Sequence, residues 1–142
     1  MEQRISMIAL GVRDLQKARQ FYETGLGWKA SKLGGDKSIF FQLGGMVLGL
    51  YPIELLEEDA NLSRKSPDFS GITIAYNAHD KTEVERVLNE AQQAGATILK
   101  PAQNAFWGGY SGYFADLDNH PWEIAWNPNW KIDGDGSLQL PD

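Results

Sequence analysis

Glu123 is the side chain in this sequence that most needs a chemical reason. It lies in the run PWEIAW, residues 121–126, where strand alternation puts Trp122, Ile124 and Trp126 on one face and Glu123 with Ala125 on the other. A carboxylate between bulky apolar neighbours must reach water, a partner or a ligand, because an unpaired buried charge is costly. It can orient a ligand, ligate a metal or act as a general base. The bland alternative is a bond to a backbone donor or to a nearby Arg or Lys. Upstream, FWGGYSGYFADLDNH is rich in glycine and aromatics. Trp107, Tyr110 and Tyr113, beside Gly108, Gly109 and Gly112, are suited to closing over a flat or apolar ligand, with packing under the loop as the structural alternative. Asp116, Asp118, His120 and Glu123 are metal-ligating types, but residues spread over a hairpin turn seldom converge on one ion. His120 in that turn, and His79 just before a helix cap, read as solvated histidines.

Composition narrows the function classes. The chain has 142 residues, 42% of them hydrophobic, enough for a proper core in one compact domain or two small fused modules. A net charge of -6 disfavours nucleic acid and anionic membrane surfaces as partners. Without cysteine there are no disulfides, thiolate metal sites or cysteine nucleophiles. No apolar run approaches the roughly 20 residues of a membrane span. MEQRIS lacks the pattern of a signal peptide, so a soluble cytoplasmic protein is expected. No P-loop, dinucleotide fingerprint, nucleophile elbow or zinc-protease motif is present. Asp133 and Asp135 have the opening spacing of a calcium loop but no later acidic position, and the tail reads as a surface extension.

The elements that must position these residues come in two similar sets. A strand from about Arg4 to Val12 is followed by a helix capped by Asp14, with Leu15, Ala18 and Tyr22 as its buried stripe and Gly25 and Gly27 at its end. A short strand at Trp28 to Ser31, a strand Ser38 to Leu43, a Gly44–Gly45 hairpin and a strand Met46 to Tyr51 follow. From Ile53 to Asp68 the composition is that of a linker, with a helical turn at Leu55 to Ala60. The order then repeats. A strand Phe69 to Asn77 leads to a helix capped by Asp80, with Glu83 completing a capping box and Val84, Val87, Leu88 and Ala91 as its stripe. Strands follow at 97–100, 112–116 and 121–126. Each half is therefore a β-α-β-β-β module, residues 1–52 and 69–128, joined by the linker 53–68 and followed by the extension 129–142.

This duplicated order, with GVRDLQKARQFYETGLGW in the first half and GYFADLDNHPWEIAWNP closing the second, resembles the vicinal oxygen chelate superfamily, which includes glyoxalase I, bleomycin-resistance proteins and extradiol dioxygenases. The resemblance implies an α+β fold: two tandem β-α-β-β-β modules forming an open, cupped, mixed sheet around a cleft, with helices outside. Metal enzymes of that superfamily take ligands from the first and last strands of each module. Carried over, the first-strand positions are Met7, five residues before Val12, and Gly71. Nothing between Lys37 and Ile53 is acidic, so the first module's last strand offers no carboxylate in any register. Only Glu123 keeps a ligand-type side chain, too few for a zinc or octahedral site, so no metal cofactor is expected. Alternation places Met7, Ala9, Gly11, Val47, Gly49, Tyr51, Gly71, Thr73, Ala75, Glu123 and Ala125 on the cleft side, a mostly small-residue surface with room for a ligand.

The expected function is that of a metal-independent cleft protein. It binds a small organic molecule through Met7, Tyr51, Gly71, Thr73, Trp107, Tyr110, Tyr113 and Glu123, with Glu123 orienting a cationic or hydrogen-bonding group. The alternative is a glyoxalase-like lyase or isomerase, or a dioxygenase, with an unfamiliar metal site or with Glu123 as a base. A third reading is an interaction module, which a filled cleft would favour. The resemblance also implies a homodimer, with or without exchange of modules.

Overall fold

The computed structural model describes residues 1–25, 27–62, 70–117 and 119–141. The expected strand start at Phe69, the linker 63–68 and Asp118 of the turn lie outside the described residues. Strand β1, Met7–Val12, leads into helix α1, Leu15–Gln20, whose Asp14 cap accepts from the Lys17 N–H at 2.9 Å. A π-helical turn, Phe21–Gly25, extends the helix. Leu15, Ala18 and Tyr22 pack with Ile39, Phe41, Leu48 and Leu50, as the stripe requires. Residues 28–31 do not form the expected strand. Ser31 N–H donates to the Phe40 carbonyl at 2.8 Å, but Trp28 packs its ring against Tyr22 and Phe41, and side-chain packing holds this segment in place of a ladder.

Strands β2, Ile39–Leu43, and β3, Met46–Pro52, form the expected hairpin, with Gly44 at φ 55° in its turn. The chain passes directly into helix α2, Ile53–Asp59, and then from Leu62 onward to β4, Ile72–Asn77. Helix α3, Lys81–Gln93, starts at Asp80, whose carboxylate accepts from the Glu83 N–H at 2.8 Å. The return bond of the capping box goes to His79 N–H at 2.7 Å rather than to the cap itself, while the other Glu83 oxygen takes the Tyr76 hydroxyl. Strands β5, Thr97–Asn104, β6, Tyr110–Ala115, and β7, Pro121–Trp126, complete the sheet, and a small hairpin of β8, Lys131–Ile132, and β9, Leu138–Gln139, closes the chain.

The seven-stranded sheet has the order β2-β3-β1-β4-β7-β6-β5. Its halves join through the antiparallel β1–β4 pair, while β1–β3 and β4–β7 are parallel. One face packs on α1 and α3: Leu15 meets β2 and β3, and Val84, Val87 and Leu88 meet Tyr76, Phe114 and Ile124. The other, inner face carries Met7, Ala9, Phe40, Val47 and Ala75, and it is covered by Leu56 of α2 and Leu138 of the tail hairpin. Not all helices are therefore outside. The tail is also more than a surface extension, because Leu138 is fully buried and Trp130, Ile132 and Leu140 pack beside it. Apolar side chains spaced too irregularly to show a period still seek the uncovered face of a sheet.

Candidate functional site

Strand register assembles the site in three rows across the inner face. Val47, Met7, Ala75, Glu123 and Tyr113 form one row over β3, β1, β4, β7 and β6. Gly49, Ala9 and Thr73 form the next, and Tyr51 and Gly11 begin the third, which reaches Gly71 through the bond from Gly11 N–H to its carbonyl. Met7, Tyr51, Gly71, Thr73, Tyr113 and Glu123 thus share one surface. The small residues between them let larger ones fold inward. A Cβ on Gly49 would lie 2.9 Å from the Tyr51 ring and 3.3 Å from the Met7 sulfur, so both side chains lie across that glycine.

Helix α2 delivers a second carboxylate. Leu56 is buried against the sheet, and Asp59, three residues on, falls on the same side of the helix. Asp59 Oδ2 accepts from the Tyr113 hydroxyl at 2.8 Å, and its Oδ1 accepts from Lys100 Nζ at 2.7 Å. Lys100 also donates to the Asp59 carbonyl at 3.0 Å and stands opposite Tyr113 in the β5–β6 register. Glu123 is 8% exposed. Burial, with the charge of Asp59 added, pushes its carboxyl up to about 8, against the opposing pull of Lys100 and of hydrogen bonding with Ser111 and Tyr113. Burial and the same two carboxylates push the Tyr51 and Tyr113 phenols upward. At neutral pH Glu123 is therefore mostly a proton donor, and both phenols keep their protons. Thr73 is 1% exposed, and its hydroxyl has no hydrogen-bond partner among the described residues.

The remaining candidates lie elsewhere. Tyr110 points to the helix face, where its hydroxyl bonds Glu85 and the Lys81 ammonium sits 5.3 Å from its ring, so it ties β6 to α3. The parity of β6 separates it from Tyr113. Trp107 folds onto Gly109, where a Cβ would overlap its ring, at the Trp126 end of the β6–β7 ladder. His120 pairs with Asp116 at 3.0 Å within the turn, and the His79 ring stands 4.0 Å from Glu2. A surface hollow of about 330 Å³ lined by Val87, Ala91, Phe114 and Leu117 is on the helix side, away from Glu123. Asp59, Lys100 and Ser111 went unrecognised in the sequence. The available signals were the absence of a loop between β3 and α2, the Leu56–Asp59 spacing and the odd-residue parity of β6.

Carried over from the resemblance, the metal position of the first module's last strand falls in this register at Tyr51. The shift that carries Met7 to Gly71 carries Gly11 to Ala75, whose strand partners are Tyr51 and Glu123. The four positions are thus Met7, Tyr51, Gly71 and Glu123. Gly71, at φ 76°, sits against Gly11 and Ile53, and a Cβ there would stand 3.2 Å from the Ile53 side chain. A thioether, a phenol held protonated, a glycine under a helix and one carboxyl do not fit a zinc, manganese or iron site. Among the described residues no three His, Cys, Asp or Glu side chains gather as a metal-binding group. Nor, among the described residues, is any helix long and apolar enough to cross a membrane.

Comparison with known proteins agrees with this architecture. The chain is 36% identical to a glyoxalase-related enzyme from Fulvimarina pelagi, covering 99% of this chain and 100% of that one with a TM-score of 0.51. A glyoxalase/bleomycin resistance protein/dioxygenase superfamily member from Vibrio splendidus shares the fold at 14% identity, with 87% and 98% of the two chains covered and a TM-score of 0.57. The Mn(II)-bound glyoxalase from Novosphingobium aromaticivorans does so at 18% identity and a TM-score of 0.58, over 87% of this chain and 37% of that one. No curated protein matches the chain. The sequence profile of the Glyoxalase/Bleomycin resistance protein/Dioxygenase superfamily matches residues 4–124, and the chain belongs to that superfamily.

Proposed function

We propose that this chain binds a small organic molecule at the polar end of the inner face, around Glu123, Tyr113, Tyr51 and Thr73, without a divalent metal. The observation that carries this reading is Glu123 itself: a carboxyl only 8% exposed on the inner face, where burial and the Asp59 charge favour its protonated form, with no histidine, cysteine or second carboxylate at the strand positions the resemblance assigns to metal ligands. The apolar half of that face is filled by Leu56 and Leu138, a condition that favours an interaction module. The polar groups beside it keep ligand binding ahead, because one of them, the Thr73 hydroxyl, is buried without a partner among the described residues, which is rare unless a function retains it. A ligand reaches them when α2 lifts, which requires release of the Asp59 contacts to Lys100 and Tyr113.

Catalysis is the second reading. Glu123 beside the Tyr113–Asp59–Lys100 chain of hydrogen bonds is placed to give or take a proton. A homodimer in the cytoplasm is the setting proposed for either reading. Elemental analysis of untagged protein, with calorimetric titration of Zn, Ni, Mn and Fe, is expected to find no stoichiometric metal. Stoichiometric metal that disappears in Glu123→Ala would contradict the metal-free reading and favour an enzyme.

A further inference from the structure

Resting on that reading for what the opening admits, we propose that α2 is a lid poised to open: a helix too weak to stand alone, closed over the inner face by Lys100 of β5, which supplies the cap and the cation that the helix itself lacks.

Local sequence supplies the first part of the argument. Helices α1 and α3 each begin at an aspartate that accepts from a first-turn N–H, whereas α2 begins at Pro52 with no side-chain cap. At its other end Glu57, Glu58 and Asp59 crowd the negative pole of the helix, and its last turn has no basic residue, while α1 ends with Lys17 and Arg19. Glu54 and Glu58, four residues apart, add a like-charge pair. Its seven residues also fall short of the roughly 12–15 that even a good isolated helix needs. The chain leaves α2 through Asn61, in the left-handed region at φ 55°, whose side chain is tied to the Leu99 carbonyl at 2.7 Å. That exit is anchored to β5 independently of the helix.

Packing supplies the second part. Lys100 Nζ donates to the Asp59 carboxylate at 2.7 Å and to the Asp59 carbonyl at 3.0 Å, one of the carbonyls that a helix end leaves without an internal partner. The β5–β6 register shifts on either side of Lys100, and irregularities of this kind re-aim a side chain. Helix α2 crosses all three rows of the inner face: Ile53 lies against Gly11 and Gly71, Leu56 packs with Met7 and Ala75, and Asp59 bonds Tyr113. Thr73 falls in the row between Ile53 and Leu56. Release of one lysine therefore frees the lid while the ladders of the sheet stay intact.

The test is hydrogen exchange of the full chain without ligand, beside labelling of Thr73→Cys by DTNB in a chain with no other cysteine. Amides of residues 57–60 are expected to exchange about a hundredfold faster than those of α3, at a rate that low denaturant leaves unchanged, the mark of local opening. Glu58→Lys, which repairs the helix pole, should slow them about tenfold. Lys100→Met should speed them roughly tenfold, with α3 unmoved in both variants. Labelling of the Thr73→Cys thiol should change in the same proportions. Equal exchange in α2 and α3 would mean that α2 opens only with the whole fold, and would overturn the proposal. So would labelling that ignores both variants, since the inner face would then be reached by another route. Opening as expected, in a protein whose melting temperature no small molecule raises, would leave the lid standing and contradict the ligand-binding reading.

Discussion

At the scale of the residue, Glu123 makes stability depend on pH with a definite sign. Its folded-state value of about 8 lies above the ordinary 4.5, so the native state binds the proton more tightly than the unfolded chain does. That contribution is complete below pH 4.5 and is lost as pH rises to about 8, at about 1.4 kcal/mol per pH unit. Glu123→Gln, which keeps the shape and removes the ionisation, should flatten this slope, so that the unfolding free energies of variant and wild type converge near pH 4.5 and the variant is the more stable by roughly several kcal/mol at pH 9. Removing Lys100, the cation that opposes the shift, should move the Glu123 midpoint higher still; Lys100→Met followed by NMR titration checks this. Strand alternation in the sequence was enough to place Glu123, Thr73, Met7 and Tyr51 on one face, because a period of two is strict. It misplaced Tyr110 by grouping it with its neighbours in a glycine-rich loop, although β6 begins at Tyr110 and turns it toward α3.

At the scale of the element, α2 decides what the inner face can admit. Its seven residues are held by Leu56, by Ile53 against Gly11 and Gly71, and by the two Asp59 contacts. Asp59→Asn weakens the Lys100 pair, which is only partly buried, and should cost about 1–2 kcal/mol in chemical denaturation while speeding amide exchange within α2. Gly71→Ala should cost about 1–3 kcal/mol, because an L side chain is strained at φ 76° and the new methyl presses on Ile53. The sequence showed a helical turn here but not its docking. One buried leucine and a capping-end aspartate are too few residues to establish a face. Residues 28–31 failed in the opposite direction: their residue types suit a strand, but Trp28 packs its ring against Tyr22 and Phe41 and the segment forms no ladder.

At the scale of the whole molecule, the chain closes its own sheet. Leu138 N–H donates to the Gly45 carbonyl at 2.7 Å, and the Gln42 side chain bonds both the Leu138 carbonyl and the Leu140 N–H, so the tail is read by the β2–β3 hairpin. Leu138→Ala should cost about 2–5 kcal/mol and expose the Met7, Phe40 and Val47 surface to a hydrophobic dye. The sheet and its helices were legible because their periods persist over whole elements. The tail was not, because its two-residue strands carry no period and only the finished sheet gives them a place. On the proposed reading, what the closed molecule offers a ligand is proton donors rather than a metal. A carbon-13 titration of the Glu123 side-chain carboxyl, run with and without one equivalent of Zn(II), tests this most directly. A midpoint near 8 that zinc leaves unmoved is the predicted result; a midpoint near 4.5, or one that falls when zinc is added, would contradict it.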